Sequence, residues 1–315
     1  MRDTGPNHHS NPDFHMNTRI SRHGAAWNLH GAAWMILAMA GFAVEDTLLK
    51  MAATTLPVGQ VLISFGFVGI VVFALWAILA GESPLNPAVL GRAMALRSLC
   101  EVTGRLFFML AIALTPLSTA SAILQATPLV VMVGAIFIFG ETIGPRRWLA
   151  VLAGFAGVLM VLRPGTEGFG PLPLLAVIGM LGFAGRDLAT RAAPATMSFR
   201  QLGVLGFTML IVAGLITLPF GGSPVMPDTE TWLGLLGASA AGICAYTSLT
   251  IAMRTGEVGA VTPFRYTRLV FAMIAGVAVF GERPDSWTIA GSGIIILAGI
   301  AALRLSRNKA GAAAR

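Results

Sequence analysis

The sequence predicts an all-α membrane protein with ten transmembrane helices in two inverted five-helix repeats. Three observations lead there: the composition, the length of the apolar segments and an internal repeat. Of the 315 residues, 56% are hydrophobic and 11% are charged, whereas soluble globular proteins carry about 25% charged residues. Residues 58–80 contain no charged side chain, and a helix needs about 20 apolar residues to cross the hydrocarbon layer.

Ten apolar segments are separated by short stretches rich in Gly, Pro and charge, which leave no room for a soluble domain. They lie near residues 32–53, 58–80, 92–113, 119–139, 147–163, 172–192, 199–220, 231–252, 260–280 and 287–304. Each is long enough, or nearly so, to span the bilayer as a helix.

Polar tails flank the ten segments. Residues 1–28 carry four of the five His and no apolar run, so we expect a disordered cytoplasmic tail, with metal binding by His8, His9 and His15 as the alternative. Residues 307–315 form the second cytoplasmic tail. The N-terminal residues lack the three-part form of a cleavable signal peptide, so we expect the first span to stay as signal and anchor.

The net charge of +7 reflects topology and does not indicate a nucleic-acid partner. In the ten-span arrangement, thirteen Lys and Arg fall on the side of the two termini, and the opposite side holds only Lys50, Arg163 and Arg283. Because cytoplasmic loops carry the excess of Lys and Arg, both termini are expected in the cytoplasm.

Shifting the chain by 141 residues aligns its second half with its first. GFA at 41–43 meets GFA at 182–184, and FGE at 139–141 meets FGE at 280–282. The two repeats are expected at residues 29–165 and 170–306. Each holds five spans, and an odd number makes the two copies enter the membrane from opposite faces.

Inverted repeats are a recurring construction of secondary transporters, which bind substrate near the midplane between the halves. The alternative is that a duplicated bundle only folds well. An intramembrane enzyme is the rival class, but the sequence contains no HExxH, GxSxG or P-loop motif. We therefore expect a transporter and not an enzyme.

The third span carries Arg97, Glu101 and Arg105 at intervals of four residues, which places them on one helix face. A charged side chain at mid-bilayer costs about 2.5–3.5 kcal/mol on insertion scales, so this face must line the bundle interior. One carboxylate leaves one guanidinium unneutralised. The matching positions of the second repeat carry no charge, so these residues are predicted to bind substrate, with Glu101 as the candidate for proton coupling.

A second polar group follows Pro263 in the ninth span, and the fourth span carries Pro128 at the matching place. Pro loosens a helix and frees a carbonyl, which predicts a hinge with a polar lining. The complete set of predicted substrate-binding residues is Arg97, Glu101, Arg105, Phe108, Gln125, Tyr246, Arg265, Tyr266 and Arg268.

Other charges are predicted to be structural. At i, i+4 spacing, the expected ion pairs are Asp46 with Lys50 and Asp187 with Arg191. The acids of the two FGE motifs, Glu141 and Glu282, begin short loops and are expected to cap or tether a helix.

These motifs resemble the bacterial drug/metabolite transporter superfamily, EamA type, over residues 32–306. The resemblance implies secondary transport of a small molecule across the bacterial inner membrane, with no cofactor or metal. Within the family, EVTGRLFFMLAIALTPLSTASAILQATPL and TPFRYTRLVFAMIAGVAVFGERPDSW are similar to alphaproteobacterial permeases for riboflavin or S-adenosylmethionine. The chain is expected to be a monomer or a homodimer in the lipid bilayer.

The predicted site sets Arg97, Arg105, Arg265 and Arg268 against Glu101. Such an excess of Arg suits the carbonyls, ring nitrogens and flat ring of riboflavin, whereas a sulfonium would prefer carboxylates or an aromatic cage. Riboflavin uptake is therefore the first prediction. S-adenosylmethionine, amino-acid or drug transport, including export, is the second.

Overall fold

The computed structural model describes residues 13–140, 144–163, 170–191, 197–255 and 261–313. All regular secondary structure in these residues is helical. The α-helices are α1 (Asp13–Ala52), α2 (Val58–Leu79), α3 (Arg92–Leu114), α4 (Leu117–Leu124), α5 (Thr127–Phe139), α6 (Pro145–Leu162), α7 (Pro173–Arg191), α8 (Phe199–Thr217), α9 (Thr229–Thr255), α10 (Thr267–Phe280) and α11 (Ser286–Ala313). Short 3₁₀ helices lie at Pro87–Leu90, Leu218–Phe220 and Thr262–Tyr266.

These helices correspond in order to the ten predicted spans, which confirms the predicted fold class. Seven described segments are long and apolar enough to cross a membrane, and two shorter apolar helices lie at Trp148–Leu162 and Ser286–Ala302. The remaining span is α3, which has 23 residues but carries charges along its middle. Its length fits the bilayer, and its charges must therefore be satisfied within the bundle.

The first helix begins at Asp13, so part of the tail predicted to be disordered is helical. Residues 13–28 contain no Pro, and an existing helix extends more easily than a new one nucleates. Residues 1–12 and the side chains of residues 13–28, including those of His8, His9 and His15, lie outside what the structure describes.

The fourth and ninth spans are both interrupted. α4 ends at Leu124 and α5 begins at Thr127, because Pro128 has no N–H to donate to the preceding turn. The hydroxyl of Thr127 instead donates to the carbonyl of Leu124 at 2.5 Å. The ninth span begins with the 3₁₀ helix Thr262–Tyr266, which contains Pro263, before α10 continues it. Both Pro residues therefore interrupt helices, as the sequence predicts.

The packing of the spans repeats when each is replaced by its counterpart five spans later. α1 packs on α9 and α3 packs on α7, while α2 packs on α8 and α6 packs on α11. The first span touches the ninth, and the sixth touches the fourth. This exchange is what a two-fold relation between inverted repeats requires.

Small residues allow the closest helix crossings, and these too occur in pairs. A Cβ atom added to Gly182 of α7 would lie 2.4 Å from the backbone nitrogen of Gly104 on α3. A Cβ atom added to Gly41 of α1 would lie 2.9 Å from the Cβ of Ala245 on α9. Gly41 and Ala245 are the counterparts of Gly182 and Gly104 at the 141-residue shift. Close approach of backbones through small residues is a common way for membrane helices to associate.

Candidate functional site

A cluster of eight ionisable residues lies between the two repeats, on α1, α3, α7 and α10. We call it the charge cluster. Four of its members are at least nine-tenths buried, and the others are partly buried. Its members are Glu45, Asp46, Arg97, Glu101, Arg105, Arg186, Asp187 and Arg268.

Glu101 of α3 lies at the centre and is 3% exposed. Its Oε1 atom is 3.4 Å from Nε of Arg105 and 3.3 Å from Nη1 of Arg186. Its Oε2 atom is 3.6 Å from Nη2 of Arg97. The spacing of four residues turns both α3 arginines toward this carboxylate, as the sequence predicts, and α7 supplies a third guanidinium.

The first helix supplies two further carboxylates. Oε1 of Glu45 lies 3.2 Å from Nη1 of Arg105, and Oδ2 of Asp46 lies 2.6 Å from Nη2 of Arg268. Glu45 and Asp46 are 1% and 2% exposed. Each of these carboxylates is therefore paired with a guanidinium in place of water, as a buried carboxylate requires.

The predicted pairing of Asp46 with Lys50 is wrong. Asp46 turns into the bundle toward Arg268, and Lys50 instead lies 3.5 Å from Glu282. Helical spacing made the pair geometrically available, but burial favoured partners on neighbouring helices. On α7, Asp187 accepts from the adjacent Arg186 at 2.8 Å.

The predicted pairing of Asp187 with Arg191 involves a side chain outside the described residues. It therefore stays a prediction.

The predicted excess of Arg over carboxylate is also wrong for the charge cluster. Glu45, Asp46 and Asp187 join Glu101, so four carboxylates face four guanidiniums. The prediction counted only the charges of the third and ninth spans. It therefore omitted the charged side chains of α1 and α7. By formal charge, the described cluster is balanced.

Aromatic rings lie against three of the four guanidiniums, and the Arg105 guanidinium is 5.7 Å from the ring centre of Phe183. The Arg186 guanidinium lies 4.9 Å from the ring centre of Phe183. The Arg268 guanidinium lies 5.0 Å from the ring centre of Phe42 and 5.7 Å from that of Phe108. Phe42 and Phe183 are counterparts in the two GFA motifs. Phe108, a predicted site residue, thus borders the cluster.

Two further predicted site residues are Tyr246 and Gln125. Tyr246 lies close to the charges of α3 and to Arg186. Gln125 donates to the backbone carbonyl of Arg265 at 3.1 Å, which joins the interruptions of the fourth and ninth spans.

Two predicted site residues of the ninth span face elsewhere. Tyr266 points its hydroxyl into the space above Gly299 of α11. Among the described residues, no hydrogen bond, ion pair or ring contact joins the side chain of Arg265 or of Tyr266 to the charge cluster. Both lie in the 3₁₀ helix before α10.

The predicted set of substrate-binding residues omits Glu45, Arg186 and Thr190. Thr190 accepts from Nε of Arg97 at 3.1 Å. A signal for the first two was present, because Glu45 and Arg186 are aligned counterparts of opposite charge. The same asymmetry singled out the charges of α3.

A second polar contact between the repeats involves Lys50, which lies about one helical turn after Asp46 in the last turn of α1; we call the contact of Lys50 with Glu282 the Lys50 latch. Glu282 accepts from the backbone N–H groups of Leu117 and Ser118 at 2.5 and 3.0 Å, and from the Ser118 hydroxyl at 2.7 Å. Lys50 donates to the carbonyl of Thr115 at 2.6 Å. The predicted capping role of Glu282 is confirmed, and Glu141 lies outside the described residues.

The model of the EamA-like transporter family matches residues 29–163 and again residues 172–304. One solved crystal structure superposes with a TM-score of 0.58 over 88% of this chain and 98% of its own length, at 17% identity. This likeness shows a shared fold.

Three relatives differ in what their names say they carry. The S-adenosylmethionine uptake transporter of Rickettsia prowazekii (strain Madrid E) is 28% identical over 85% of this chain and 90% of its own. The pseudopaline exporter of Pseudomonas aeruginosa (strain UCBPP-PA14) is 29% identical over 88% and 95%. A riboflavin transporter of Rhizobium johnstonii is 28% identical over 61% and 64%.

Proposed function

Because the chain belongs to the EamA-like transporter family, we propose that it carries a small organic metabolite across the bacterial inner membrane by alternating access. Both termini lie in the cytoplasm, as the distribution of Lys and Arg favours. The protein functions as a monomer or homodimer and needs no cofactor.

The observation that carries this proposal is that the charge cluster joins the two repeats. Glu101 of the first repeat contacts Arg186 of the second, and Asp46 contacts Arg268 in the same way. A substrate that binds these groups competes with contacts between the halves. Binding therefore changes the relative stability of the two orientations, which is what coupling of substrate to rocking requires.

The balanced charges favour a substrate that itself bears both signs. S-adenosylmethionine fits, since it has a sulfonium, an amino group, a carboxylate and a flat purine. Its cationic centre suits carboxylates and aromatic faces, which Glu45, Asp46 and Phe42 provide. Uptake of this molecule, or of another amino-acid-like metabolite, is our first candidate.

Riboflavin remains the second candidate. The rings of Phe42, Phe108 and Phe183, with the guanidiniums that stack on them, would bind a flat ring rich in hydrogen-bond acceptors. Relatives named as riboflavin transporters also support this candidate. The Arg excess that first favoured riboflavin is absent from the described cluster, so electrostatics no longer places it ahead.

Counterflow into proteoliposomes tests the function. Labelled S-adenosylmethionine and riboflavin are each offered to vesicles loaded with the same unlabelled compound. We expect accumulation of one compound without chemical change, and loss of accumulation in Arg268→Met. Arg92→Met, at the exposed start of α3, is the matched control. Chemical conversion of the compound would contradict the transporter, and accumulation of neither would contradict both substrate candidates.

A comparison of two arginines tests where the site lies. Arg265 is three residues from Arg268, and it shows no ion pair among the described side chains. Arg265→Met should therefore keep most of the counterflow that Arg268→Met loses. The reverse result would place the site at the 3₁₀ helix.

Proton coupling through Glu101 completes the proposed mechanism. Protonation of this carboxylate would release guanidiniums of α3 for substrate. Glu101→Gln should then change the pH profile of uptake. An unchanged rate and pH profile would exclude this role.

A further inference from the structure

We propose that Arg97 is the docking point for a carboxylate of the substrate, at the end of the charge cluster nearest the start of α3. The proposal rests on the proposed function and names the substrate class of the same site. That class is an elongated metabolite with a carboxylate at one end and a cationic or aromatic group at the other.

Arg97 is the least satisfied guanidinium of α3 although it is 6% exposed. Its Nε donates to Thr190 at 3.1 Å, but its Nη1 has no hydrogen-bond partner in the described part of the chain. Its Nη2 is 3.6 Å from Glu101, which is too long for a hydrogen bond. A buried donor without a partner is costly, and a bound acceptor would remove that cost.

Glu101 does not depend on Arg97 for its own pairing. Arg105 and Arg186 lie closer to it, at 3.4 and 3.3 Å, and both satisfy hydrogen-bond geometry. Arg97 is therefore the guanidinium that can pair with a substrate without leaving a buried carboxylate alone.

The buried atoms of the charge cluster that lack a hydrogen-bond partner indicate which kind of ligand group would satisfy them. Among described side chains, two buried cluster atoms lack a partner: Nη1 of Arg97 and Nε of Arg268. Both are donors. The cluster is balanced in formal charge, but both of its free hydrogen-bonding atoms need an acceptor. A carboxylate is the acceptor that guanidiniums bind most specifically.

The positions along α3 set the length of the ligand. Arg97 and Arg105 are eight residues apart, which corresponds to about 12 Å of helix. Glu45 lies at the Arg105 end, so a carboxylate at Arg97 leaves the other end of the molecule near a buried carboxylate. This arrangement fits an amino-acid conjugate better than a neutral flat ring.

Binding to the purified full chain tests the proposal with three probes: S-adenosylmethionine, its decarboxylated form and riboflavin. Because a hydrogen bond to a charged group contributes about 1.5–3 kcal/mol, wild type should bind S-adenosylmethionine at least about tenfold more tightly than the decarboxylated form. Arg97→Met should abolish this preference and leave affinity for the decarboxylated form within about threefold. Arg92→Met should keep the preference. An equal loss for all probes, or a preference that survives Arg97→Met, would overturn the proposal.

A second measurement needs no ligand. If the unpartnered guanidinium donor of Arg97 serves to bind substrate, Arg97→Met should leave the melting temperature of the purified protein unchanged or raise it. Arg186→Met, which removes an arginine paired with both Glu101 and Asp187, should lower it. A fall for Arg97→Met as large as that for Arg186→Met would make Arg97 a structural partner. Failure of all three probes to bind wild type, with this stability pattern intact, would contradict the substrate candidates and leave the docking point supported.

Discussion

The ammonium of Lys50 lies 3.5 Å from the carboxylate of Glu282, and the two residues belong to different repeats. The same carboxylate caps the first turn of α4. The Glu282 side chain, in the loop after the ninth span, therefore contacts both the end of the first span and the start of the fourth. In the proposed topology this latch lies on the periplasmic side. We therefore expect that opening of the periplasmic side separates Lys50 from Glu282.

Replacing Glu282 tests the Lys50 latch. Glu282→Gln removes the charge and one of two acceptor oxygens, so we expect a loss of about 1–2 kcal/mol in the free energy of unfolding. Glu230→Gln, an exposed acid at the start of α9, is the control for the lost charge. Equal stability of the two variants would contradict a structural role for the cap.

The same variant should favour the state that is open on this side. In a chain with Cys100 and Cys244 replaced by Ala, a cysteine at Ser118 should react faster with an impermeant maleimide once Glu282 is Gln. The rate should not change with Glu230→Gln. An unchanged rate in Glu282→Gln would show that the contact does not close a path.

The pair of Glu45 and Arg105 should behave as a unit. Arg105→Met leaves a carboxylate that is 1% exposed without its guanidinium, and losing one partner of a buried pair costs about 3–5 kcal/mol. Adding Glu45→Gln should restore most of the melting temperature, because the isolated charge is gone, while counterflow stays lost. Recovery of transport in the double variant would show that neither group contacts substrate.

Packing at the α3–α7 crossing should tolerate no side chain. Gly182→Ala places a methyl group 2.4 Å from the backbone nitrogen of Gly104, so the helices must separate, and we expect a loss of about 1–3 kcal/mol. A Cβ atom at Gly206 of α8 meets nothing within 4 Å. Gly206→Ala should therefore be neutral or slightly stabilising. Thermal unfolding in detergent compares them, and equal melting temperatures would contradict the crossing.

Stability should depend on Glu82 in a pH-dependent way. Hydrogen bonds from Arg200, and then from Ser198, hold the pKa of Glu82 below its ordinary value. A lowered pKa in the folded state gives stability that is present at neutral pH and is lost as pH falls through that pKa. The difference in melting temperature between wild type and Glu82→Gln should thus be largest near neutral pH and shrink below about pH 4. A difference that stays constant would contradict the pairing.

The spans could be predicted from sequence because hydropathy is a local property, and the repeat could be predicted because its motifs recur at a single shift of 141 residues. The face of α3 was predictable as well, since Arg97, Glu101 and Arg105 follow the helical period. Asp46 was assigned to the wrong partner for a related reason: spacing along one helix shows which side chains can meet, but not which neighbours burial will favour. Its partner, Arg268, is 222 residues away in sequence.

By itself, the sequence determined a ten-span bundle of two inverted repeats with charges inside it, because the hydrocarbon layer imposes length and hydropathy on every span. Only the tertiary structure decided how those charges pair. The crossing of α3 with α7 brings Arg186 to Glu101, and the approach of the ninth span to the first brings Arg268 to Asp46. The balance of formal charge at the site follows from these contacts between helices, and the substrate class that we propose rests on that balance.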